Sequence, residues 1–206
     1  MTSDTSDNPR LIFRQPNSVL TGWVLIGVFL TVLIIFALAD GRLELSSTLI
    51  LLALSGACWL TLVRPAVELT ADGVRLINLV REARLSWPAI DVVESRWSLK
   101  LYTPQDQGFS AWAISAQRPK AGGVRSGHGI LPPRIDADNP PELIDRKSSA
   151  AAVRAAIERG QEDYARVVAR GDIPAQEAVA QRSISTVGAI GWLLVITAMV
   201  LGVFVV

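Results

Sequence analysis

Three stretches of this chain carry no charged side chain at all: residues 19–39, 45–63 and 186–206. An α-helix rises about 1.5 Å per residue, so roughly 20 apolar residues cross a hydrocarbon core of about 30 Å. Lipid offers backbone amides no partners, and a single segment satisfies all of its own only as a helix. The pattern therefore predicts three membrane-spanning helices. Asp40-Gly41-Arg42-Leu43-Glu44 is short and rich in turn formers, which folds the first two spans into an antiparallel hairpin. Composition agrees: half of the 206 residues are apolar and only 19% are charged, against about a quarter in an ordinary soluble domain. A cleaved signal peptide fits the N-terminus poorly. Asp4 and Asp7 precede the first run, the run is too long, and no small-x-small cleavage pattern follows it.

The arginines set the expected orientation. Arg10 and Arg14 precede the first span, Arg64 follows the second at once, and Arg182 stands just before the third. Arg42 alone lies on the other side, between Asp40 and Glu44. The positive-inside bias places the N-terminal tail, residues 1–18, and the segment between the second and third spans in the cytoplasm. The hairpin turn and the C-terminus then face outwards.

Residues 64–182 change character. Val67-Glu68-Leu69-Thr70 alternates apolar and polar, Ala71-Asp72-Gly73 supplies a turn, and Val74-Arg75-Leu76 resumes the alternation. Two alternating runs joined at Asp-Gly form a hairpin signal. Further strands are expected at 83–87, 92–97, 99–103 and 109–115, separated by Pro88, the Ser98 break and the loop Pro104–Gly108. From Gln117 glycine and proline dominate and no periodicity survives, so 117–147 reads as a long loop, with one short extended piece around 129–131. A helix follows, capped near Ser148 and ended at Gly171. Val153, Ile157, Tyr164, Val167 and Val168 recur along one of its faces, suited to covering the open side of a curved sheet. Asp172-Ile173-Pro174 has the composition of another helix start, which predicts a linker helix over 172–185 running into the third span.

The paired N-terminal spans, Arg64-Pro65, the hairpin Leu69-Thr70-Ala71-Asp72-Gly73-Val74, the turn Leu85-Ser86-Trp87-Pro88-Ala89-Ile90 and the strand Ala111-Trp112-Ala113-Ile114 together resemble the bacterial membrane proteins with a pleckstrin-homology (PH) domain that are common in actinobacteria. The likeness covers about residues 20–116 and rests on structural motifs; the long loop and third span depart from the shortest members of that family. It implies an α+β membrane protein in which residues 64–171 form a PH-like antiparallel β-barrel or sheet, closed by a C-terminal amphipathic helix.

Chemistry-bearing residues are few. His128 is the single histidine and Cys58 the single cysteine, too few ligands for a zinc site, and no metal or cofactor is expected. His128 stands in the glycine-rich loop, so no histidine triad can be assembled around it. Gly122-Gly123-Val124-Arg125-Ser126-Gly127 lacks the lysine and the strand-to-helix setting of a phosphate loop. Glu68, Glu82, Asp91 and Glu94 lie on short strands among arginines and read as the wet face of the sheet. A net charge of +1 gives no field that would gather nucleic acid. Trp87, Trp97, Tyr102 and Trp112 read as core or sheet-face residues. Gly188, Gly191 and Ser55-Gly56-Ala57 permit close helix contact within the membrane, and no ionisable group in a span marks an ion path.

One charge feature remains. Arg118, Lys120, Arg125 and Arg134 follow one another with no acidic residue between, and each basic group near an anionic bilayer contributes about 1 kcal/mol of attraction. These four are the candidate contacts for lipid or for a partner. The function expected is a non-enzymatic, membrane-anchored interaction module, an accessory or assembly subunit beside other integral membrane proteins. The alternative is an anionic-lipid-binding module using residues 117–135, and a weaker one is an enzyme whose site the sequence does not reveal.

Overall fold

The computed structural model describes residues 11–40, 44–95, 98–115, 144–147 and 150–204. In chain order its elements are β1 (Leu11–Arg14), α1 (Pro16–Asp40), α2 (Leu45–Cys58) with a π-helical turn (Trp59–Val63), β2 (Ala66–Leu69), β3 (Gly73–Ile77), β4 (Arg81–Ser86), a 3-10 turn (Trp87–Ala89), β5 (Val92–Glu94), β6 (Ser98–Tyr102), β7 (Gly108–Ser115), β8 (Ile144–Lys147), α3 (Ala150–Arg170), β9 (Ala180–Ile184) and α4 (Thr186–Phe204). The chain divides into two compact units. One comprises Met1–Arg14, Ala66–Leu76 and Ala83–Gln181; the other comprises Gln15–Pro65, Ile77–Glu82 and Arg182–Val206.

The second unit holds three helices long and apolar enough to cross a membrane, Pro16–Ala39, Leu45–Val63 and Thr186–Phe204. Their outer faces expose Leu38, Ile34, Leu193 and Phe204, as helices solvated by hydrocarbon do. Glycines set how closely the helices approach. A Cβ on Gly22 would stand 2.7 Å from a methyl of Val63, and one on Gly191 would stand 2.8 Å from a methyl of Leu60. Val63 and Leu60 both belong to the π-helical turn. The extra residue that this turn accommodates rotates the chain relative to a regular helix. Val63 packs at Gly22 of α1 while Leu60 packs at Gly191 of α4. At the far end Ser46 Oγ donates to the Gly202 carbonyl, and a Cβ on Gly202 would crowd Ile50 at 2.8 Å.

The first unit is mixed α and β. The strands form a six-stranded sheet in the order β8-β1-β2-β3-β4-β9 and a three-stranded sheet in the order β5-β6-β7. β1 runs antiparallel to β2 and parallel to β8, and β5-β6-β7 is antiparallel throughout. Among the described residues the two sheets do not close into a barrel. The core between them is apolar: Val67, Leu76, Leu99 and Leu101 are fully buried, with Val74, Leu85 and Ile114 beside them. Helix α3 contributes Val153 and Ile157, both at 0% exposure, with Tyr164 packed at the margin. Its end follows the expected chemistry, since Gly171 takes φ +80° and its N–H bonds the Val168 carbonyl.

The turn after β4 explains how α3 approaches. Trp87 is 2% exposed and its indole N–H donates to the Ala71 carbonyl at 2.8 Å, pinning the β2–β3 turn. Gly160 of α3 abuts the benzo ring of the indole, where a Cβ would meet Cη2 at 2.4 Å. Gln161 Nε2 then donates to the Ile90 carbonyl at 2.7 Å.

The structure departs from the sequence-based expectation in three places. Residues 172–185 are not a linker helix. Residues 174–179 have no regular structure, and 180–184 form strand β9. Tertiary hydrogen bonds hold this strap extended: Gln176 N–H donates to Tyr164 Oη, Gln176 Nε2 to Asp72 Oδ1, and Ser86 N–H to the Val179 carbonyl. The N-terminal tail carries strand β1, which Leu11 and Phe13 anchor in the core. The last residues of the segment 117–147, Ile144–Lys147, form β8 along the free edge of β1.

Candidate functional site

Arg118, Lys120, Arg125, Arg134 and His128 lie outside the described residues, as does the extended piece around 129–131. Two arrangements among the described residues place chemistry that the sequence did not single out.

The first lies wholly within the unit of the spans. Arg64, at the end of the π-helical turn, directs Nη1 to the Asn78 carbonyl at 2.6 Å and Nη2 to Glu82 Oε1 at 3.1 Å. Nη2 also bonds Ser185 Oγ. Ser185 Oγ donates to Glu82 Oε1 and accepts the Gly188 N–H at 3.3 Å, so it caps the start of α4. The Ser185 N–H bonds the Val80 carbonyl. The side chains of Arg64 and Glu82 are 8% and 13% exposed, so this is a buried ion pair. Its partners satisfy most of the donors that a desolvated guanidinium presents. One polar cluster thus joins the end of the second span, the β3–β4 turn and the first residue before the third span. Gly188 fits the same joint, because a Cβ there would overlap the Leu79 carbonyl at 2.4 Å. The sequence marks Arg64 as a topological charge and as part of the Arg64-Pro65 pair in the family resemblance; its structural role has no signature, since Asn78, Glu82 and Ser185 lie 14, 18 and 121 residues away.

Glu82 is therefore not on a wet face, and neither is Glu68. Glu68 is 8% exposed, and its carboxylate stands 3.6 Å from Arg75 Nη1. Asp91 is exposed as expected. No group of three or more metal-binding side chains occurs among the described residues.

The second arrangement is the outer face of the three-stranded sheet. Leu99 and Leu101 point inward from β6, which turns Lys100 and Tyr102 outward. Val92 pairs with Tyr102, and Glu94 with Lys100, which pairs in turn with Ser110. Beyond that point the register shifts: Lys100 faces Ser110 but Ser98 faces Ser115, so two steps of β6 oppose five of β7. An irregularity of this kind re-aims side chains. Trp112 lies inside it and is 61% exposed, while Ala111, Ala113 and Ile114 around it are buried. Val92 is 51% exposed on the same face. The sequence placed Trp112 in the core or on a sheet face, and the structure selects the face. Trp87 is the tryptophan of the core, and Trp97 lies outside the described residues. A search for relatives gives no match: no protein-family model fits the chain, and no curated protein and no solved structure is significantly similar to it.

Proposed function

We propose that the chain is a non-enzymatic interaction module of a bacterial plasma membrane, an accessory or assembly subunit whose sheet unit binds another integral membrane protein. The observation that carries this reading is the outer face of β5–β7. It presents Trp112 and Val92 with Tyr102 and Lys100 on a sheet whose opposite face is core. Large aromatic side chains on a rigid backing are the anchors that dominate protein interfaces, since they remove much apolar area from water at little cost in side-chain entropy. The PH-like reading of this unit is part of the proposal. It is supported by the succession of short strands followed by one helix, α3, that adds Val153 and Ile157 to their core.

A photoreactive phenylalanine analogue at Lys100, beside the patch, is expected to yield one discrete adduct with a membrane protein in intact host cells. The same group at Arg159, on the exposed side of α3, is expected to yield none. Trp112→Ala should abolish the Lys100 adduct and the stoichiometric copurification of the partner. Adducts to lipid alone would turn the assignment to a lipid-binding module, and equal adducts at both positions would end it.

The orientation belongs to the same proposal, with both the N-terminus and the sheet unit in the cytoplasm. In a Cys58→Ala background, cysteine at Ser6 or Ser126 is expected to resist an impermeant thiol reagent until the cells are permeabilised, and cysteine at Ser47 is expected to react at once. Reaction at Ser126 in intact cells would invert the topology, and the partner would then be sought outside.

A further inference from the structure

The β3–β4 turn, Asn78-Leu79-Val80, belongs to the unit of the spans. The Asn78 N–H closes it on the Arg81 carbonyl at 3.0 Å. Three contacts hold it against the ends of two spans. Arg64, just after the π-helical turn, donates to the Asn78 carbonyl at 2.6 Å, and the Ser185 N–H donates to the Val80 carbonyl at 2.8 Å. A Cβ on Gly188 would stand 3.2 Å from Val80 Cα. Gly188 lies in the first turn of α4, which begins at Thr186. A helix rises about 1.5 Å per residue, so Val80 sits within a few ångströms of the end of a span, where hydrocarbon gives way to headgroups.

The surface at this level is apolar and cationic together. Val80 is 39% exposed, Ile184 72% and Val187 58%. Arg81 and Arg182 beside them are exposed. Among the described residues of the span unit, the charged side chains at this end are Arg64, Arg81, Glu82 and Arg182, while Asp40 and Glu44 stand at the far end of the helices. Glu82 is the one carboxylate here and is turned into the buried cluster with Arg64 and Ser185. Positive charge is therefore in excess at this level. The Arg81 side chain makes no ion pair or hydrogen bond among the described residues. An arginine beside an apolar tip can lay its methylene stem along hydrocarbon and lift its planar fork to the phosphates. Apolar burial and attraction to anionic headgroups then act in the same place. The patch runs on into the exposed Ile190 and Leu193 of α4, and this continuity with a lipid-facing helix favours lipid as its occupant over a protein.

We propose that this collar is a binding site for anionic phospholipid, in which Val80 and Ile184 enter the boundary of the leaflet and Arg81 holds a headgroup phosphate. The site does not use the Trp112 face and needs no partner protein. The test uses the full-length chain with Cys58→Ala and a fluorophore on Val187→Cys, in phosphatidylcholine vesicles doped with a doxyl-labelled lipid. Doxyl-phosphatidylglycerol is expected to quench at a lower mole fraction than doxyl-phosphatidylcholine. Arg81→Gln should reduce that preference about fivefold, which corresponds to the ~1 kcal/mol that one basic group contributes near an anionic surface. Arg81→Lys keeps the charge and should retain most of the preference, and Lys100→Gln in the sheet unit should leave it unchanged. A fluorophore on Leu201→Cys, near the far end of α4, should be quenched equally by the two lipids. Equal quenching by the two lipids at Val187, or an unchanged preference in Arg81→Gln, overturns the proposal. If Leu201 is still quenched, the spans keep their place in the bilayer and the collar passes to a protein partner. No quenching at Leu201 would overturn the membrane reading and the proposal with it.

Discussion

Ile157→Asp is expected to unfold the sheet unit, while Arg159→Asp two residues along the same helix leaves it intact. Ile157 is fully buried in the cluster that includes Val153 of α3, Leu99 and Leu101 of β6 and Trp87. Removing its side chain forfeits about 2–5 kcal/mol of packing. An ionised carboxylate in its place has no partner there, and the cost of desolvating it adds several kcal/mol more. Total domain stabilities are about 5–15 kcal/mol, so this sum is enough to unfold the unit. Arg159 is exposed, and a surface change of this kind alters stability by about 0.5 kcal/mol or less. Amide hydrogen exchange on the full-length protein in detergent gives the readout. Protection over β5–β7 and α3 should vanish in Ile157→Asp and persist in Arg159→Asp. Equal protection in the two variants would mean that α3 does not cover the sheet.

Removing one member of the Arg64–Glu82 pair is expected to be the second most damaging change, and removing both is expected to be milder. Glu82→Ala leaves a guanidinium buried at 8% side-chain exposure with its counter-ion gone, a loss of about 3–5 kcal/mol. Arg64→Met with Glu82→Leu replaces both charges by apolar groups of similar length, and such replacements are often close to neutral. The double variant should therefore melt above either single one. Arg64→Lys separates two roles of the same residue. It keeps the positive charge that the topology rule uses. It gives up the planar fork that reaches Asn78, Glu82 and Ser185 together. The lysine variant is expected to insert with unchanged orientation and to melt lower. Thermal unfolding in detergent and the thiol-accessibility measurement read the two effects independently. Additive single and double variants would mean that the pair is not coupled, and the joint at Ser185 would then rest on its backbone bonds alone.

The sequence by itself determined whatever local composition dictates. A charge-free run of about 20 residues has one stable form in lipid, so the helices Pro16–Ala39, Leu45–Val63 and Thr186–Phe204 follow from composition alone. The β2–β3 hairpin follows from Asp72-Gly73 between two alternating runs, and α3 from the spacing of Val153 and Ile157 and its glycine stop. Tertiary structure decided the elements whose partners are distant. Residues 172–185 have a plausible helix start and several alanines and glutamines, yet 180–184 form a strand. A strand's hydrogen bonds come from its neighbour, and here Ser86 and Val80 supply partners about a hundred residues earlier in the chain. β1 and β8 are four residues each and pair in parallel, and a run that short has no periodicity to read. Burial of Glu68 and Glu82 was hidden for the same reason. Alternation shows which residues share a face, but only packing decides whether that face is wet, and the arginines that compensate these two carboxylates arrive from other segments. The candidate surfaces divide in the same way. Arg118, Lys120, Arg125 and Arg134 were legible as a charge run, whereas the Trp112 face exists only once β5, β6 and β7 pair and the register shifts between β6 and β7.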